Sequence, residues 1–551
     1  MGASSSTASP SPEAHEQREQ ETLASAALAL PLLRAAFSRS SSTADALPDA
    51  LAPPRASFRA PGSPPALPLP PHFHDLLAGL GPAIASQFFG RAAGAADAAG
   101  DAGWVPFLRG FNRCCARTPA SRSLALLLRV YAAACASAGA PCGIQLQEGD
   151  GEEGADEGKV AGELAPEEIA VFLWMCWAMA WSALAAPGAP GGGGDKSEPV
   201  AVLLPDVTHL VLSASVSAGA VADDAGIWGW EVSSDGKGVK VQEFTSWVLS
   251  TAPGLGNCLS RYVRDRIRLL AADSVEETSV STVNTTFDTS DVYLLTRGRA
   301  WAIALSLRNK LAENFLTASV TGIDTDDLLY RSSVHGKGLS RFWSCAEGYH
   351  GPMLILLSAF SKGGGEDVGS GRRWVIGVLT EEGFESKDTF YGSSGFLCAA
   401  HPIFRMLSPS GKEKNFIYCH LHPQMRTYEA NPKPVGLAFG GTIGNERIFL
   451  DEDFSKVVVR HHAVDKTYQH GSLIPNQGYL PVEASVLDVE VWGLGGEATK
   501  RQQDMYKKRE DIFSEQRRKV DLKTFASWED SPEKMMMDMM SDPNTVRRED
   551  R

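Results

Sequence analysis

Eighteen consecutive residues without a charge, Ile169 to Ala186, constrain this chain more than any other feature. A run of that length either crosses a bilayer or forms the centre of a helical core. Trp174, Trp177 and Trp181 are scattered through it, and no lysine or arginine flanks it closely. A membrane span instead bands its tryptophans at the two interfaces and is oriented by flanking positive charge. The run therefore reads as a buried helix.

Its surroundings agree. From His72 to Ala271 apolar residues recur at three- and four-residue spacings, as in Phe73, Leu76, Leu77, Leu80 and Leu124, Leu127, Leu128, Tyr131, the period of packed helices. Two loops bracket the uncharged run. One, Glu148 to Glu168, carries nine acids and only Lys159; the other, Gly188 to Ser197, is rich in Pro and Gly. A chain of 551 residues with 43% hydrophobic residues has material for two or three domains. Its net charge of −14 argues against a nucleic-acid partner, because phosphate binding needs a basic surface. Nine cysteines with no CxxC pair fit reduced thiols in the cytoplasm and form no disulfide framework.

Residues 1–71, rich in Pro and Ser, are expected to be disordered, with one short helical docking segment at Thr22 to Phe37 interrupted by Pro31. No secretory signal opens the chain. The start MGASSS fits the M-G-x-x-x-[ST] acylation pattern, which makes Gly2 a lipidation site for myristate. Residues 72–271 form the helical domain. Its end, Gly226 to Trp247, resembles a degenerate EF-hand: Val232, Ser234 and Gly236 stand where a calcium loop needs oxygen ligands, so no calcium is expected. Residues 272–291, rich in Ser and Thr, are expected to be a linker.

Beyond the linker the period changes. A helix at Trp301 to Phe315 precedes strands at Met353–Phe360, Trp374–Leu379, Phe416–Leu421, Val435–Phe439, Arg447–Leu450 and Val486–Trp492. In the last, Leu487, Val489 and Val491 alternate with Asp488 and Glu490, which predicts a half-buried antiparallel strand. Ile443 to Glu446 reads as a hairpin turn. The fold class is α+β: an all-helical N-terminal domain, then a domain of strands with flanking helices.

No catalytic constellation emerges. Gly436, Gly440, Gly441 and Gly444 lack the following helix that a phosphate cradle needs, and Gly392 to Gly395 lacks the spacing of a nucleophile elbow. His420 and His422 share a strand face but bring no evident third ligand, with His461 and His462 distant in sequence, so no metal is expected. Cys345, Glu347 and His350 make a thiol–base group only if a fold assembles them. Asp451, Glu452 and Asp453 form an acidic turn suited to a contact. Residues 497–523 hold nine basic and six acidic side chains, with Tyr506, Phe513 and Val520 seven apart. So narrow an apolar stripe suits a helix laid into a partner's groove. Residues 497–551 are thus a charged C-terminal helix with a tail rich in Met (Met535 to Met537, Met539, Met540).

Five blocks then carry a resemblance: Leu328 to Trp343 (LLYRSSVHGKGLSRFW), Gly351 to Phe360 (GPMLILLSAF), Thr389 to Phe404 (TFYGSSGFLCAAHPIF), Gly436 to Phe454 (GLAFGGTIGNERIFLDEDF) and Leu487 to Leu494 (LDVEVWGL). Their order and spacing over residues 292–493 resemble a TLDc domain. The resemblance implies a two-sheet β-sandwich flanked by short helices. It also implies a non-catalytic module tied to oxidative-stress resistance, whose relatives bind the vacuolar-type proton pump. The whole arrangement is similar to the fungal restriction-of-telomere-capping proteins and to lysosome-associated TLDc relatives, in which a helix after the domain engages the pump. Two stretches depart from the family pattern, the turn Gly369 to Trp374 with Arg372 and Arg373, and the segment after the acidic turn, VVVRHHAVDKTYQHGS.

The expected function, as the resemblance implies, is a non-enzymatic, myristoylated TLDc adaptor that regulates a membrane-bound partner, the vacuolar-type proton pump, in oxidative-stress or organelle-acidification responses on an endomembrane such as the vacuole or lysosome, using no cofactor. Its partner-binding residues are Asp451, Glu452, Asp453, Tyr506, Phe513 and Val520. The alternative is a thiol-dependent peroxide-removing enzyme acting through Cys398 or Cys419.

Overall fold

The computed structural model describes residues 12–529, apart from 42–45, 55, 62–67, 90–102, 147–158, 185–200, 234–235, 273–292, 309, 323, 362–370 and 423–431, together with residues 534 and 536. Gly2, the expected linker and most of the methionine tail lie outside the described residues.

The helical half opens with α1 (Pro12–Ser25), α2 (Leu30–Ser40), α3 (Ala46–Leu51) and the short strand β1 (Ser57–Arg59). Then come α4 (Phe73–Ala78), α5 (Leu80–Phe89), α6 (Trp104–Cys115), α7 (Ala120–Ala138), β2 (Ile144–Leu146) and β3 (Val160–Leu164). It closes with α8 (Pro166–Leu184), β4 (Ala201–Leu203), α9 (Thr208–Ser217), β5 (Val239–Lys240), α10 (Val241–Thr251) and α11 (Cys258–Ala271). The uncharged run is α8. Trp174, Met175, Cys176 and Trp177 have no exposed surface, and Trp174 Nε1 donates to the Pro205 carbonyl at 2.9 Å. By length and composition this helix could cross a membrane, but 78% of its apolar window is buried inside the fold.

The expectation of disorder over 1–71 is corrected for the described part. α1, α2 and α3 bury Ala24, Leu33, Ala36, Leu47 and Leu51 in the core. α11 holds them in place. Arg39 donates to the carbonyls of Leu270 (2.7 Å) and Ala272 (2.6 Å), Tyr262 to Leu51 (2.9 Å) and Arg266 to Ala50 (2.7 Å). Pro31 lies in the first turn of α2, where a missing N–H leaves no intrahelical bond unmade, so it starts a helix. The Ser and Pro content around these helices hid apolar faces that gain their burial from distant helices, α1 from α6, α2 from α11, and α3 from α5 and α11.

The EF-hand-like end is one of two similar units. β3 and β5 pair antiparallel, with Leu164 opposite Val239, and each leads into a helix carrying a glutamate four residues later, Glu168 and Glu243. Glu168 is engaged by backbone: it accepts from Gly143 N–H (2.9 Å) and Ala165 N–H (2.8 Å), the second being the reciprocal half of a capping box.

The expected helix at Trp301 to Phe315 is two helices, α12 (Arg297–Ser306) and α13 (Lys310–Thr321). The sheet follows: β6 (Leu328–Arg331), then α14 (Ser332–His335), α15 (Leu339–Ala346), β7 (Met353–Ser361), β8 (Arg372–Thr380), β9 (Lys387–Tyr391) and β10 (Gly395–His401). β11 (Arg405–Leu407), β12 (Ile417–His420), β13 (Gly436–Thr442), β14 (Asn445–Asp451), β15 (Lys456–Val459) and β16 (Val482–Gly493) complete it, and α16 (Gly496–Glu529) leaves the last strand. Thr442 pairs with Asn445, so the hairpin turn is Ile443-Gly444, with Gly444 at φ +86°.

The fold is α+β, and the two layers of the domain are one continuous sheet. Its strands run β11-β10-β8-β7-β16-β15-β14-β13-β12-β9, with β6 beside the end of β16. The sheet curls until Ile355, Leu357, Ile376 and Val378 face Phe439, Ile448 and Leu450 across a gap of about 10 Å³, at the lower limit for one water. The other face of β7, β8 and β16 is also covered: Leu354, Leu356, Leu379 and Trp492 join the helical core. A strand buried on both faces reads as an unbroken apolar run, as Met353 to Leu357 does.

The alternation expected for the last strand is also corrected. The register against β7 slips between Val486 and Asp488, so Leu487 is the extra residue and is 44% exposed. Val486, Val489 and Val491 point inward, and Glu490 is buried among donors.

Candidate docking site

The acidic turn is built around Phe454. This residue holds a positive φ of 53°, rare for a bulky side chain, and its fully buried ring packs on Phe342 and Tyr330. Asp451 is spent on the turn. Its Oδ1 accepts from Ser455 N–H (2.8 Å) and Lys456 N–H (3.0 Å), and its Oδ2 from the Ser455 hydroxyl (2.6 Å). Glu452 meets His422 Nε2 at 3.0 Å, and its carbonyl accepts Leu339 N–H at 2.7 Å, where α15 begins. Asp453 is exposed.

The other end of α15 receives α16. Gln503, 3% exposed, donates to the carbonyls of Cys345 (2.8 Å) and Glu347 (3.0 Å), and Lys507 Nζ donates to Cys345 at 3.0 Å. Tyr506 lies on Gly348, whose φ of +76° and bare α-carbon let the ring close in; a β-carbon there would lie 2.4 Å from the ring. Its hydroxyl reaches Glu347 Oε1 at 3.4 Å. Below, Gly495 N–H donates to the Tyr349 hydroxyl at 2.6 Å and Lys500 Nζ to the Asp326 carbonyl. The first three turns of α16 are therefore fastened to the sheet domain.

Past Lys507 the helix is exposed through Lys519. Its 34 residues span about 51 Å at the α-helical rise. Met505, Ile512 and Phe513 are 58%, 54% and 50% exposed. The expected stripe thus divides: Tyr506 fastens the helix, Phe513 is displayed, and the side chain of Val520 lies outside the described residues. Asp451 to Asp453 and Tyr506 stand at opposite ends of α15, about 12 Å apart along an eight-residue helix. Gln503, Lys507, Met505 and Ile512 were missed. Gln503 stands three residues before Tyr506, the spacing of one helix face, and was the available signal.

The thiols stand in a different environment. Cys398 is 2% exposed and Cys419 fully buried, and burial pushes both thiols up to about 12. A peroxide-reducing cysteine needs the reverse, an accessible thiolate. Cys345, Glu347 and His350 do not present a thiol–base pair; the carbonyls of Cys345 and Glu347 are used by α16. Among the described residues no group of three or more His, Cys, Asp or Glu side chains is arranged to hold a metal ion.

Comparison with curated proteins returned no match. The family model described as TLDc domain matches residues 306–495, from the last residue of α12 through the whole curled sheet to the glycine before α16. Residues 306–495 of the chain thus form a TLDc domain.

Proposed function

We propose that this chain is a non-enzymatic adaptor that grips a membrane-bound partner through α16, the partner being the vacuolar-type proton pump to which the TLDc resemblance points. The observation that carries the reading is the division of α16. Three turns are pinned by Gln503, Tyr506 and Lys507, and the following turns carry Ile512 and Phe513 into solvent. A long helix held at one end presents an apolar edge with little ordering left to be done on binding.

Myristate on Gly2 supplies the membrane contact in this proposal. One such chain gives an association constant of only about 10⁴ M⁻¹, so a protein contact is needed as the second attachment. Two weak contacts joined in one molecule reinforce each other through effective concentration. The proposed location is the cytoplasmic face of an endomembrane such as the vacuole or lysosome, in organelle-acidification or oxidative-stress responses.

The test is co-purification of pump subunits from membranes with the full chain and with Ile512→Asp/Phe513→Asp. The proposal expects the pump with the first and its loss with the second; equal recovery removes α16 as the contact. Separately, Gly2→Ala is expected to shift the protein to the soluble fraction, and unchanged membrane retention would remove the lipid anchor.

A further inference from the structure

The helical half and the sheet domain leave a cavity of about 220 Å³ where they meet. Its walls come from α8 and α11 on one side and α12 and α13 on the other. Met179, Trp301, Leu305 and Leu316 give it an apolar wall, and Asn257, Arg261, Arg308 and Glu313 give it a polar one. Arg308 is exposed and Arg261 half-buried.

One buried hydrogen-bond donor here lacks an acceptor, and two solvent-reached guanidinium groups stand beside it. Trp301 is 1% exposed and its buried Nε1 has no partner among the described residues. Arg261 and Arg308 likewise form no ion pair or hydrogen bond among them, although Asp265 lies one turn from Arg261 and Glu313 also lines the cavity. A buried N–H without an acceptor loses its hydration with no return, and is rare in folded proteins. Here the buried indole N–H needs an acceptor oxygen, and the two guanidinium groups, reached by solvent, offer an anion a place beside the apolar wall.

The geometry points to a binding site for a small carboxylic acid with an apolar body. The acid group would lie between Arg261 and Arg308 and the body would enter between Met179, Leu305 and Leu316. An apolar cavity of about 150 Å³ takes benzene, so this volume suits one ring or a medium chain with a short polar end. A guanidinium pair selects carboxylate over a neutral amide through charge-assisted hydrogen bonds. Because both halves of the chain line the cavity, bound acid stabilises their junction by mass action. The site is separate from the exposed turns of α16, and it stands or falls independently of the adaptor reading.

Cys258 gives a direct readout. It lines the cavity, is half-buried, and its thiol points to the Gly254 carbonyl at 3.7 Å. The experiment measures alkylation of each cysteine of the full chain by N-ethylmaleimide, read by mass spectrometry, with octanoate, 3-phenylpropanoate or octanamide present. The two acids test a chain against a ring, and the amide removes the charge. Binding is expected in the millimolar range of so small a ligand. One or both acids should slow Cys258 by about tenfold or more at saturation and raise the melting temperature, with octanamide about tenfold weaker. Cys142 and Cys345, half-buried elsewhere, should keep their rates. Ala180→Phe, which fills the cavity, should abolish protection, and Arg308→Gln should weaken it for the acids only. Unprotected Cys258 with both acids, or equal protection by octanamide, overturns the assignment. Both outcomes are read on the unmutated protein, so neither depends on a variant folding.

Discussion

Glu490 Oε1 accepts the backbone N–H of Leu294 at 2.9 Å, joining the last strand of the sheet to the segment that enters α12. The same carboxylate accepts Leu295 N–H (3.3 Å) and Trp492 Nε1 (3.1 Å), and Arg331 Nε lies 3.4 Å away. Burial raises its pKa, while those donors and Arg331 oppose the rise. One acid surrounded by donors thus ties the last strand to the entrance of α12, beside the apolar contact of the two halves.

Glu490→Gln replaces one of the two accepting oxygens by an amide donor facing other donors, and removes the negative charge that Arg331 meets. Removing one member of a buried charged group is worth about 3 kcal/mol. We expect a loss of that order in urea unfolding. A change below about 0.5 kcal/mol, the usual range for surface substitutions, would show that the contact is incidental.

His209 predicts how the junction responds to acid. It is 5% exposed, and burial pushes its pKa down to about 4 despite the neighbouring Asp206, with Arg299 acting in the same direction as burial. The unfolded chain therefore binds the proton more readily. Stability should be full above the unfolded value near pH 6.5 and fall as pH drops toward 4, by about 3 kcal/mol. Melting temperatures across that window check this. His209→Gln should flatten the profile; an identical slope would assign the acid sensitivity elsewhere.

The bulge makes neighbouring residues of one strand differ sharply. Val489→Ala opens a cavity in the sheet core and should destabilise by about 2 kcal/mol, whereas Leu487→Ala should change stability by less than about 0.5 kcal/mol. Chemical denaturation of the pair decides the matter. The opposite order would restore the simple alternation Leu487-Val489-Val491.

Tyr506→Ala should release the start of α16 without unfolding the sheet. Amide exchange over residues 500–510 is expected to rise by about tenfold or more while β7 and β16 stay protected. Phe513→Ala should leave that exchange pattern unchanged, because its ring is half exposed and fastens nothing.

Cys398 and Cys419 should resist peroxide. Both are buried with thiols held protonated, so oxidation of the native chain should favour the half-buried Cys142, Cys258 and Cys345. Quantitative mass spectrometry after a peroxide pulse measures this. Preferential sulfenylation of Cys398 or Cys419 would revive the enzymatic alternative.

Local pattern alone determined the apolar helix of Ile169 to Ala186, six of the strands between Met353 and Trp492 but not β9, β10, β11 or β15, the α+β class and the charged terminal helix. Each is written in the spacing or continuity of neighbouring side chains, and five ordered blocks pointed to the TLDc domain. Tertiary structure decided the rest. The apolar sides of α2 and α3 count as core only because α11 and α5 lie over them, and Leu487 is turned outward only because β7 slips its register beside it. Glu490 is buried because the entrance to α12 brings backbone donors to it. At the docking site, the seven-residue spacing of Tyr506 and Phe513 marked the helix. It could not say that one residue fastens and the other is displayed, since that depends on where the surface around Gly348 ends. Periodicity records which way a side chain points from its own element, but burial is conferred by elements far away in the chain, and only the folded molecule brings those together.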